Sequence, residues 1–147
     1  MYLTESENAM RFLGMYLEIV ARKTHNDRNF IVDKIGYDNL KRIYDLHDVY
    51  HCLPPDQLVS EAMEEFFIEE GKVNVPDKED PYWSSVVICN IVKEIGTPES
   101  EYFNKFLEIY TSWLGKELLK FDPDYYVLPP YILADFWKEG RIVKEKL

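Results

Sequence analysis

Two stretches of the chain carry side chains at spacings that can do chemistry. SEAMEEFFIEEG, residues 60–71, holds Glu61, Glu64, Glu65, Glu69 and Glu70, with Lys72 the only nearby cation. YDLHDVYHC, residues 44–52, sets His47 and His51 four apart, with Asp48 between them and Asp45 close by. Positions four apart on a helix share a face. Carboxylates placed that way repel one another until a cation arrives, whereas two imidazoles placed that way can ligate one metal ion. The glutamates point to the capture of positive charge. The histidines point either to a metal site or to a packed pair.

A helical wheel at about 100° per residue puts Leu58, Val59, Ala62, Met63, Phe66 and Phe67 on one side of residues 56–70. Glu61, Glu64, Glu65 and Glu69 fall on the other side, with Ile68 among them. Like-charge neighbours cost such a helix about 1 kcal/mol in all, which a domain holding about 5–15 kcal/mol tolerates. Glu61 to Glu69 spans about 12 Å, so carboxylates recur about every 4 Å, close to the ~3.4 Å spacing of phosphates along one DNA strand. A face of this kind can present charge at phosphate-like density to a protein built to hold nucleic acid. Ile68 would supply an apolar contact at its centre, and Glu79 and Asp80, then Glu94, Glu99 and Glu101, would extend it. Two other readings stand beside this one: a solvated face, or one neutralised internally by Lys138, Arg141, Lys144 and Lys146.

The pair His47-Asp48 resembles the core of the HD metal-dependent phosphohydrolases. The resemblance covers only that short stretch, and it implies a metal held by His47 and Asp48, with His51 as a further ligand. It also requires an earlier histidine, for which His25 is the candidate, and a later aspartate from among Asp122, Asp124 and Asp135. On a wheel, however, His47 and His51 fall with Leu40, Ile43 and Tyr44, so two packed histidines bonded to a hydroxyl or a carbonyl are the competing reading. Glu61 with Glu64 and Glu65 is similar to the acidic helices of all-α nucleotide pyrophosphatases, which implies magnesium held by paired glutamates; no second pair stands out downstream. There is no glycine-rich phosphate loop, nucleophile elbow or zinc-finger spacing. Tyr125, Tyr126 and Tyr131 beside Pro129-Pro130 are either recognition aromatics or core filling.

The elements that must position these groups read as helices. Thr4-Glu5-Ser6-Glu7 has the form of a capping box ahead of a helical apolar stripe from Ala9 to Ala21. Asp38 can cap a second long helix running to Cys52, and Pro54-Pro55 opens a third that Gly71 would close. Asp80-Pro81 starts a helix apolar on most sides, which belongs in the middle of a bundle. Thr97-Pro98 starts another, and a short one follows near residues 131–138. The expectation is an all-α fold, a compact single-domain bundle of five to six helices with short connections, spanning residues 1–147. Cys52 and Cys89 are expected as two small buried thiols in a reducing cytosol.

Charge bounds the partner. The net charge of the 147 residues is −10, and residues 56–101 carry 12 acidic and 3 basic side chains, whereas the flanking thirds hold 8 against 7 and 7 against 7. Free nucleic acid and anionic membranes are poor partners for such a surface, and a basic protein is a good one. No stretch reaches the ~20 apolar residues of a membrane span, and no basic-then-apolar leader opens the chain, so a cytoplasmic protein is expected. The leading expectation is a small acidic protein, needing no cofactor, that occludes a basic, nucleic-acid-handling partner. Immunity proteins, antitoxins and phage-encoded inhibitors are the settings that fit. An HD-type metal-dependent phosphohydrolase is the alternative.

Overall fold

A computed structural model describes residues 2–147. Its centre is α1 (Glu5–Thr24), whose first turn is capped by the Thr4 hydroxyl, which accepts from the Glu7 amide at 3.2 Å. Only half of the expected capping box forms, because the Glu7 carboxylate turns to Lys93, 3.3 Å away. α1 is buried on nearly every side. It packs on α2 (Arg28–Ile35), α3 (Tyr37–Asp45), α4 (His47–Tyr50), α5 (Pro55–Glu65), α6 (Pro81–Glu94) and α7 (Tyr102–Tyr110). The α1–α6 contact is the most extensive in the fold, and small residues let the two helices approach closely. A Cβ added at Gly14 would fall 2.3 Å from the Ser85 Cβ, so the two backbones meet where neither side chain has bulk. Buried Ser84 and Ser85 turn their hydroxyls back to the Pro81 and Tyr82 carbonyls of their own helix and leave no unpaired donor at this crossing. Asp80 caps α6, and Pro81 occupies its first turn, as the sequence foretells.

All described secondary structure is helical, but there are ten α-helices among the described residues, not five or six. The extra helices come from breaks in the expected long helices and from starts the sequence hides. The polar run at residues 23–29 hides a start: Asp27 caps α2 by accepting from the Asn29 amide. The second long helix divides at Leu46 into α3 and α4. The helix after Thr97-Pro98 is a 3-10 turn (Glu99–Glu101), then α7, then α8 (Trp113–Leu118). Ser112 causes the last break, its hydroxyl accepting from the Leu114 and Gly115 amides. α9 (Pro123–Tyr126), α10 (Pro130–Glu139) and a terminal 3-10 turn (Lys144–Lys146) complete the fold. One buried apolar cluster runs through it from Ala9 to Val143, with Phe106, Tyr110 and Phe136 among its largest members.

The glutamate helix ends early. α5 stops at Glu65; Phe67 then takes a left-handed backbone (φ 55°) and the chain leaves as an irregular segment. Gly71 is therefore not the residue that closes this helix. The Gly71 amide donates to the Thr24 carbonyl at 2.8 Å, and the Val73 amide donates to the His25 carbonyl at 2.9 Å, which pins the segment to the end of α1. A side chain at Gly71 would sit 2.4 Å from the His25 carbonyl oxygen, so the close approach needs glycine.

Candidate functional site

With α5 shortened, the acidic residues redistribute. Glu61, Glu64 and Glu65 stay exposed on the helix. Ile68 does not sit at the centre of an acidic face, because it is only 3% exposed and belongs to the core. Burying that side chain is a stronger pull than continuing the helix, and it carries Glu69 and Glu70 off the α5 axis to a separate depression beside Phe30, Lys34 and Phe67. Asp80 is exposed but accepts from the Tyr82 amide as the α6 cap, and Glu79 contributes its backbone carbonyl to Arg22. The even row of four carboxylates does not form.

What forms instead is a cleft of about 300 Å³ between α1, α3, α4 and α5. Tyr16, Ile43, Tyr50, Leu58 and Phe66 line its apolar and aromatic walls, and Glu61, Glu64 and Glu65 stand along its rim. Arg42 already engages Glu65, donating to both carboxylate oxygens at 3.0 and 2.7 Å, and Gln57 donates to Glu61 at 3.1 Å. Glu64 has no ion pair among the described residues. Burial, followed by the nearby Tyr50 and Glu65, raises the Tyr16 phenol above its ordinary value, so it stays protonated. The C-terminal cations do not cover this rim: Lys146 pairs with Asp135 and Arg141 with Glu145, and no ion pair among the described residues joins that tail to α5.

The histidines separate. His25 lies at the far end of α1 from Glu5, about 30 Å along a helix of this length. Because Glu5 touches His47, His25 stands well away from the His47-Asp48 pair and does not join it. His51 is exposed, with its Nδ1 2.7 Å from the Asp48 carbonyl. Among the described residues, the one group of metal-ligating atoms that converges is Glu5, His47 and Asp48, the first of which the sequence reading did not single out. Asp122 caps α9 and Asp135 pairs with Lys146. Cys89 is buried as expected, but Cys52 is exposed, because α4 ends before it and the chain turns outward. Tyr125 and Tyr126 pack partly against the core, whereas Tyr131 is exposed.

The most heavily bonded polar group is Glu18, fully buried in the middle of α1. Its Oε2 accepts from Arg28 Nε and from the Tyr110 hydroxyl, each at 2.6 Å. Its Oε1 accepts from Arg22 Nη2 at 2.9 Å and Arg28 Nη2 at 2.8 Å. The arginines then donate to the Glu79 and Pro76 carbonyls, fastening the segment after α5 over α1, and both guanidinium groups lie over the Phe121 ring. Burial, then the Glu18 charge, pushes the Tyr110 phenol well above its usual range, so it remains a donor. The only signal in the sequence is a lone glutamate between Leu17 and Ile19 in an otherwise apolar stretch. The arrangement is a structural clamp.

No family model, no curated protein and no solved structure matches this chain. No helix among the described residues is long and apolar enough to cross a membrane.

Proposed function

We propose that the protein binds and occludes a basic protein partner, with the α5 cleft as its contact site. The observation that carries this reading is the pairing of an aromatic, apolar pocket with a rim of three exposed carboxylates. A lysine or arginine side chain matches both parts: its aliphatic stem lies on apolar walls, its head rests near tyrosine faces and its charge meets carboxylates. Arginine matches better, because its planar fork pairs two carboxylate oxygens at once. The net charge of −10 adds long-range steering toward a positive surface and disfavours direct binding to nucleic acid. Nucleases and toxins that act on nucleic acid present such basic surfaces, so an immunity protein, an antitoxin or a phage-encoded inhibitor is the role this chemistry suits. Glu61, Glu64 and Glu65 are the contact residues; Glu69, Glu79 and Asp80 contribute to the surrounding field. Ile68, being buried, is not a contact.

A phosphohydrolase of HD type has less support, since the histidine it requires stands at the opposite end of α1. The test of the binding reading is a nuclear magnetic resonance titration with a short arginine-bearing peptide. Shifts confined to Tyr16, Tyr50 and Glu64, lost when citrulline replaces arginine, are the expected result. Equal response to both peptides, or none at the cleft, overturns it.

A further inference from the structure

The surroundings of His47 hold an electrostatic gap. Its Nδ1 faces the Tyr44 carbonyl oxygen at 3.2 Å, and because a carbonyl only accepts, the proton of the neutral ring sits on Nδ1. That assignment leaves a lone pair on Nε2, which is shut off from solvent and makes no hydrogen bond. Yet Glu5 Oε2 lies 3.0 Å from it and Asp48 Oδ1 3.1 Å, and the three ligand atoms lie within 4.8 Å of one another. With the ring neutral, three electron-rich atoms converge there.

We propose that Glu5, His47 and Asp48 form a binding site for a divalent first-row metal ion, with Zn²⁺ the best match. Three features favour a metal ion over chance proximity. An Nδ1–H held by a backbone carbonyl is the arrangement that fixes the tautomer and aims Nε2 at a metal. Bonds of about 2.0–2.2 Å to a shared ion set neighbouring ligand atoms about 2.8–3.6 Å apart, from octahedral to tetrahedral, and both separations from Nε2 fall in that range. The set mixes one imidazole with two carboxylates, which suits zinc or manganese and not the all-oxygen preference of magnesium. The ligands come from two elements, the first turn of α1 and the start of α4, so the ion would tie the two together. Three protein ligands leave coordination positions open. His47 and Asp48 also line a cleft of about 490 Å³ with Phe12, Met15, His51 and Tyr82, from which water or a small oxygen ligand can reach the ion. This site is separate from the α5 cleft and stands or falls without it.

The test is calorimetric titration of the EDTA-treated full chain with ZnCl₂ at neutral pH. Zinc should bind with one-to-one stoichiometry at micromolar affinity or tighter. Glu5→Gln and Asp48→Asn, both at exposed positions where the fold is easily kept, should each weaken it about tenfold or more. His25→Ala should change nothing, MgCl₂ should give no comparable binding, and the His47 ring resonances should move with zinc. No saturable binding overturns the proposal, as does binding that is indifferent to both carboxylate substitutions. Zinc retained in Glu5→Gln but lost in Cys52→Ser would assign the ion to the exposed His51-Cys52 pair and equally refute it.

Discussion

A carboxylate sealed from water has to be satisfied by the chain itself, and at Glu18 two guanidinium groups and a phenol do so. Removing one member of such a cluster leaves the others buried and unpaired, which typically costs about 3–5 kcal/mol. Glu18→Ala should therefore lower the stability read from urea unfolding by about that amount, and a loss below about 1 kcal/mol would show that the clamp carries little. The thiols give a second check: a disulfide reagent should label Cys52 at once in the native protein and Cys89 only after denaturation. Burial also holds Cys89 and Tyr44 at about 12, above ordinary values of 9.0 and 10.0. A raised folded-state value means the protonated form is the one the fold favours. That contribution is complete below about pH 9, the unfolded thiol value, and is lost as pH climbs to about 12. The urea midpoint should fall across that window, and Tyr44→Phe should remove its share of the fall.

Element boundaries decided how the acidic residues are presented. The apolar period of α1 and the aspartate-proline start of α6 were legible in the sequence because they are local signals. The end of α5 was not, since residues 66–70 continue the helical pattern on paper. What overrides that pattern is long-range: Ile68 enters the core and Gly71 docks on the end of α1, contacts that no window of neighbouring residues contains. Ser112 likewise interrupts the helix expected after Thr97-Pro98, because its hydroxyl caps a new start at α8. Two substitutions probe the α5 exit. Phe67→Gly relieves a left-handed backbone at an exposed residue and should raise stability by up to about 1 kcal/mol. Gly71→Ala forces a Cβ toward the His25 carbonyl and should lower it by about 1–3 kcal/mol. Thermal or urea unfolding reads both, and the reverse order of effects would mean that the segment is not pinned there.

For the whole molecule, charge is the property that composition stated most plainly, and its concentration in the middle third does reach the surface as the α5 rim. The sequence could not show that Tyr16 and Tyr50, distant in the chain, would back that rim with an aromatic pocket, or that Glu5 would meet His47. Both are products of packing six helices around α1. If the rim steers a basic partner, the field of the entire protein acts on the encounter and only the cleft acts on the lifetime of the complex. The most direct measurement is the rate of association with a basic protein partner, followed from low to moderate salt for the wild type and for a Glu61→Lys, Glu64→Lys double variant. The account predicts a rate that drops steeply with salt and is at least about tenfold slower in the variant at low ionic strength. An association rate that ignores both the salt and the two charge reversals would contradict it.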